Sequence, residues 1–142
     1  MPYQVAEIKP RPPLALRVAD AETGAPLRMT VYSGEAVLAS AVTGMRMITG
    51  ALPREPCALF IPDAPPVDPQ QPVQVAMAEA YLCGVVINGN VQQQAGYGVG
   101  EAAAAFVGDP RGGPMRWLQL SFTVTTLVAV RMGYRVTVLA AA

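Results

Sequence analysis

From Leu118 to Thr125 the chain alternates strictly between apolar and polar residues. Leu118, Leu120, Phe122 and Val124 take one parity, and Gln119, Ser121, Thr123 and Thr125 the other. A helix cannot gather every second residue on one face, whereas a strand must. The pattern returns in Tyr134, Val136 and Val138 against Arg135, Thr137 and Leu139. These residues are mostly β-branched or aromatic, the types that suit a pleated, half-buried surface. The C-terminal block therefore reads as strands, with Met132-Gly133 as a turn between 127–131 and the last strand.

The same reading extends upstream. Leu14, Leu16 and Val18 alternate with Ala15, Arg17 and Ala19, as in a half-buried strand. Asp20-Ala21-Glu22-Thr23-Gly24 supplies turn chemistry. Leu27, Met29 and Val31 then alternate with Arg28, Thr30 and Tyr32. Ser33-Gly34 reads as a turn, 36–43 as a third strand, Thr43-Gly44 as a turn and 45–49 as a fourth strand. Short strands at this spacing, punctuated by glycine, predict a sandwich or barrel.

The middle is rich in proline, from Pro53 to Pro72 around one short strand, Cys57 to Ile61. Proline removes ladder donors, so 62–72 is expected to be an ordered surface loop. Val73, Val75 and Met77 alternate like a strand, although Ala76 to Leu82 contains good helix formers. The strand is preferred for 73–87 because it runs into Asn88-Gly89, a strong hairpin signal, with 91–94 returning. Gly96 to Gly100 reads as a flexible segment. Residues 101–106 are either one or two helical turns or an edge strand, and 108–114 is a turn-rich loop.

Chemistry is sparse. There is no histidine, which removes the usual general base, the common triads and most zinc sites. Cys57 and Cys83 each sit in an apolar run and read as free thiols acting as small hydrophobes. Asp20 and Glu22 flank a turn, and Asp63 and Asp68 lie in the proline loop, without the dense oxygen-ligand spacing of a calcium site. Gly96-x-Gly98-x-Gly100 before an alanine run has the wrong spacing for a dinucleotide fingerprint, and Glu101 would repel a phosphate. No catalytic, cofactor-binding or metal-binding residue is assigned.

What remains is contact chemistry. The chain is 52% hydrophobic and 14% charged, against about 25% charged for an ordinary soluble domain. Part of that apolar excess is expected to be buried against another subunit. Net charge is +0 and Lys9 is the only lysine. With no basic patch, a strong phosphate footprint for nucleic acid is not expected. The first residues lack a signal-peptide pattern, and the uncharged stretch 118–130 is too short to cross a bilayer. Pro10, Arg11, Pro12 and Pro13 form a proline-rich arm suited to lying on a neighbour. Tyr32, Tyr97 and Trp117 fall where outward-facing aromatics would sit. These seven residues are the candidate contact residues. Ser121, Thr123, Thr125 and Thr137 would make a flat outward surface suited to close packing.

The segment Leu16-Arg17-Val18-Ala19-Asp20-Ala21-Glu22-Thr23-Gly24-Ala25-Pro26-Leu27 is similar to the opening hairpin of immunoglobulin-like and prealbumin-like β-sandwich modules. There an Asp-x-x-Thr-Gly-x-Pro-Leu turn joins two strands. The chain as a whole resembles, in type, small β-sandwich proteins that decorate or cement tailed-phage capsids. The shared features are the proline-rich arm, few charges, the lack of a catalytic set and the closing strand Gly133-Tyr134-Arg135-Val136-Thr137-Val138-Leu139. This resemblance carries no site residues over.

The expectation is therefore an all-β, single-domain antiparallel β-sandwich or jelly-roll over 14–142, with an extended N-terminal arm over 1–13. The expected role is non-catalytic assembly, as a virion component that decorates or cements a capsid and is assembled in the host cytoplasm. Its partners would be other protein subunits (a major capsid protein or further copies of itself), with no nucleic acid, membrane or cofactor. The alternative is a small ligand- or carbohydrate-binding module using Trp117, Tyr97 and Tyr32 as stacking platforms.

Overall fold

A computed structural model describes residues 3–40, 55–85, 98–125 and 129–141. Among them every regular element is a strand: β1 (Tyr3–Pro10), β2 (Leu14–Ala19), β3 (Pro26–Ser40), β4 (Glu55–Phe60), β5 (Val73–Val85), β6 (Gly98–Gly108), β7 (Arg116–Thr125) and β8 (Val130–Ala141). They form two antiparallel sheets. One has the order β1-β3-β8-β5 with β2 also on β3, and the other β4-β7-β6. The all-β sandwich expected from the alternation is thus the observed architecture.

The chain winds as a rolled ribbon. β3 pairs with β8 and β4 with β7, so the outer strands of the ribbon nest around the inner ones. β8 then also pairs with β5, and β7 with β6. At the sides, β5 abuts β6 and β1 abuts β4. Successive strands from β3 to β6 alternate between the sheets, which is the winding of a jelly roll.

The inner faces follow the alternation. Leu118, Leu120, Phe122 and Val124 of β7 meet Val130, Met132, Tyr134, Val136 and Val138 of β8 in one buried cluster. Cys57, Leu59 and Leu38 join them, and Ile61, Ala64 and Val67 of the proline loop are also buried. That loop is ordered, as expected: Val67 bridges Arg116, and Asp68 Oδ1 accepts the Gln70 amide at 2.8 Å.

Residues 3–10 of the expected arm lie on the sheet as β1, with Val5 and Ile8 packed against the core. β1 and β2 run end to end along the same edge of β3, from Tyr3 opposite Ser40 to Ala19 opposite Pro26. Arg11-Pro12-Pro13 breaks them apart. Two prolines cannot supply ladder donors, and an edge is where a sheet tolerates that.

Several expectations are corrected. Ser33-Gly34 is not a turn, because β3 runs straight through it. Gly34 is there because a Cβ would sit 2.6 Å from Tyr134 Oη and 2.7 Å from the Lys9 carbonyl. Met132-Gly133 is likewise inside β8. The Tyr81 ring lies over Gly133, where a Cβ would collide with it. Gly98 to Gly100 begins β6 rather than forming a loop, and 101–106 continues as an edge strand. No helix follows the glycines, so the phosphate-loop reading lacks its helix N-terminus. Residues 73–85 form a strand, as preferred from the alternation of Val73, Val75 and Met77. The expected elements at 41–49, 88–94 and 127–128, and Tyr97, lie outside the described residues.

Candidate contact surface

The opening hairpin behaves as its turn residues predict. Asp20 Oδ1 accepts the amides of Glu22 at 2.8 Å and Thr23 at 3.0 Å. Gly24 closes the turn at φ 70°, donating to the Asp20 carbonyl at 2.9 Å. The two backbone hydrogen bonds, from Thr23 first, hold the Asp20 carboxyl below the ordinary carboxylate range. This turn fixes the register of β2 on β3, pairing Leu14 with Val31, Leu16 with Met29 and Val18 with Leu27.

The register decides which way those residues point. In β3 the buried positions are Gly34, Ala36 and Leu38, with Tyr32 packed on the core behind them. By alternation, Leu27, Met29 and Val31 point to the opposite, outer face, and Leu14, Leu16 and Val18 point with them. The expected half-buried face of β2 is therefore an exposed one: Leu14 is 56% and Leu16 45% exposed. Tyr32 is corrected in the same step. It faces inward, and burial, followed by the Asp63 carboxylate, raises its hydroxyl pKa.

The outer apolar surface continues across the sheet. Leu139 lies opposite Met29, Thr137 opposite Val31, and Met77, 50% exposed, opposite Thr137. Four neighbouring strands thus present one patch, on the order of 300 Å² in projection for strands ~4.8 Å apart with same-face residues ~6.8 Å apart. The other half of this face is charged. Glu7, Lys9 and Glu35 stand at one side, and Arg131, Arg135 and Glu79 at the other, with Glu79 opposite Arg135. Lys9 pairs with Glu7 at 3.5 Å and Arg11 with Glu35 at 3.7 Å. These pairs are exposed and contribute little to stability.

The outer face of the three-stranded sheet differs. Ala58, Ser121 and Ala103 form one row, and Phe60, Gln119 and Ala105 the next. Trp117 lies opposite Val107 on this face, outward from the Leu118–Val124 row as expected. Its Nε1 is buried without a hydrogen-bond partner among the described residues. Here the small-residue surface read from Ser121, Thr123 and Thr125 is present, with Glu101 at one end of it, whereas Thr137 faces outward from the other sheet. Thr123 Oγ1 also donates to the Gly100 carbonyl at 3.1 Å, beside the bulge of β6 where Glu101 takes φ 52°.

Of the expected contact residues, Pro10 ends β1, Arg11 pairs with Glu35, and Pro12 and Pro13 are exposed in the break before β2. They border the charged half of the outer face but are not near Trp117, which lies on the other sheet. Sequence reasoning found the apolar rows Leu14 to Val18 and Leu27 to Val31 but turned them toward the core, a place taken instead by the row of Tyr32, Gly34, Ala36 and Leu38. Among the described residues no three His, Cys, Asp or Glu side chains gather as a metal site would require. Nor, among the described residues, is any helix long and apolar enough to cross a membrane. No protein-family model, curated protein or solved structure matches this chain.

Proposed function

We propose that the protein is a non-catalytic assembly subunit, a virion component that decorates or cements a capsid through subunit contacts. The observation that supports this reading is the outer face of the larger sheet. Leu14, Leu16, Met29 and Met77 present apolar surface to water there beside a border of mixed charge. Apolar patches rimmed by polar groups mark protein contact sites. The jelly-roll winding suits a shell component, although such folds also serve other functions.

The test is a density gradient of the native source, with mass spectrometry of each fraction. The protein is expected to travel with a large particle at fixed stoichiometry. Recovery solely as a small free species would overturn the reading. A second reading, a carbohydrate-binding module, has Trp117 beside Val107 on the outer face of the smaller sheet in its favour. It loses Tyr32 as a platform, since that ring is turned inward. Quenching of the single tryptophan by added oligosaccharides, with no particle association, would select it.

A further inference from the structure

We propose that two copies of this chain join through their β2 strands, edge to edge and antiparallel about a two-fold axis centred on Leu16. An unpaired strand edge is a template for another strand, and proteins usually guard it with bulges, prolines or lysines. β1 has a bulge between Val5 and Glu7, together with Lys9 and Pro10. β5 has two bulges, β6 has one at Gly100–Ala103, and β4 contains Pro56. β2 has none of these devices: its register on β3 is unbroken, it contains no proline or lysine, and Arg17 is its only charge.

The edge is also correctly armed. The Asp20 amide donates to the Ala25 carbonyl at 2.9 Å, so this pair is hydrogen-bonded across the hairpin. Alternation in an antiparallel ladder then directs the backbone groups of Val18, Leu16 and Leu14 toward β3, and those of Ala15, Arg17 and Ala19 toward the open edge. Pro26 confirms the phase. It stands opposite Ala19, a position that needs no donor toward β2.

A second β2 fits this edge better than a foreign strand does, because the sequence is self-complementary in one register. With Leu16 opposite its own copy, Ala15 pairs with the copy's Arg17, and Leu14 with the copy's Val18. The Ala15 and Arg17 backbones exchange hydrogen bonds, and Leu14, Leu16 and Val18 of both chains merge into one apolar stripe. Centring the axis on Arg17 would set that residue against itself, and like charges directly opposite are unfavourable; centring it on Ala15 would set Arg17 against the copy's Pro13, which has no N–H to give. The contact is isologous, as a closed two-fold dimer requires. It extends the larger sheet through both copies and doubles the apolar surface offered to a shell. In that last respect it rests on the assembly reading.

The test uses the full chain in a Cys83→Ser background, which removes the exposed native thiol. Sedimentation equilibrium is expected to give about twice the 14.9 kDa chain mass. Under mild oxidation Leu16→Cys is expected to cross-link two chains, since a non-hydrogen-bonded pair has Cα atoms ~4.5 Å apart, within disulfide range. Leu14→Cys is expected not to, because its two copies would stand roughly 13 Å apart. Ala15→Pro removes an edge donor without touching a β3 hydrogen bond and is expected to give a folded monomer. A monomeric wild type, cross-linking through Leu14→Cys or Arg17→Cys instead of Leu16→Cys, or a dimer unchanged by Ala15→Pro would each overturn the proposal. If the monomeric protein still travels with a large particle, the pairing has failed and the assembly reading stands.

Discussion

Two residues show how local chemistry is read out as stability. Tyr134 is fully buried, and its hydroxyl has no hydrogen-bond partner among the described residues. Burial, with the Asp63 carboxylate second and opposed by Arg11, raises its pKa, so it stays protonated at ordinary pH. A buried polar group left unpaired costs about 1–3 kcal/mol. Tyr134→Phe keeps the ring and removes that cost. We expect it to raise stability by about 1 kcal/mol in chemical denaturation, and a loss of more than ~1 kcal/mol would mean the hydroxyl is satisfied in solution. Asp20 gives the opposite lesson. Its carboxylate accepts two amides, so its folded pKa lies below the ordinary value of 3.8. The charged form therefore contributes stability that is fully present above that value and lost as pH falls through the depressed folded value. Relative to Asp20→Asn, the wild type should lose its advantage as pH falls through that acid window. Parallel curves for both proteins there would contradict the turn geometry.

At the scale of elements, the N-terminal segment is the sharpest case. β1 supplies the edge of β3 opposite Gly34 to Ser40 and packs Val5 and Ile8 on the core. Deleting residues 1–10 should therefore cost ~3 kcal/mol of burial and pairing, seen as a melting temperature lower by roughly 10 °C. An unchanged melting temperature would mean that the segment detaches freely from the sheet. The sequence could not distinguish this strand from a loose arm, because three prolines lie between residues 10 and 13 and Val5 and Ile8, three residues apart, share a face only through the bulge between Val5 and Glu7. The C-terminal strands were legible because over Leu118–Thr125 and Tyr134–Val138 they bury one parity and leave the other polar. β3 was legible as a strand but not in its orientation, since both of its parities are apolar and only cover by the second sheet selects Gly34, Ala36 and Leu38. The two misread turns have a common cause. Gly34 and Gly133 answer to Tyr134 and Tyr81, whose proximity is a property of the sheet and not of their own neighbourhood in the chain.

At the scale of the molecule, the sandwich spends the inward parity of each strand on its core and leaves the larger sheet with a second apolar surface. The charge on that outer face is confined to one half of it, so the apolar half can be desolvated without stranding an unpaired ion. This division makes the assembly reading separable from the fold. Met29 and Leu139 lie opposite each other in the middle of the patch, with Met29 one strand inside the β2 edge, opposite Leu16. Replacing both with lysine adds no charge to the core, so each should change the stability of the free chain by no more than ~0.5 kcal/mol. At a contact, each substitution would remove on the order of 1.5 kcal/mol or more of buried apolar surface, or about tenfold in affinity. Met29→Lys with Leu139→Lys should therefore fold normally by circular dichroism, keep the Leu16→Cys cross-link, and lose on the order of 100-fold in binding to its particle. Full retention of binding with an intact fold would move the docking surface elsewhere. The uncharged face around Trp117 would then be the surface to alter, with Trp117→Ala as the corresponding variant.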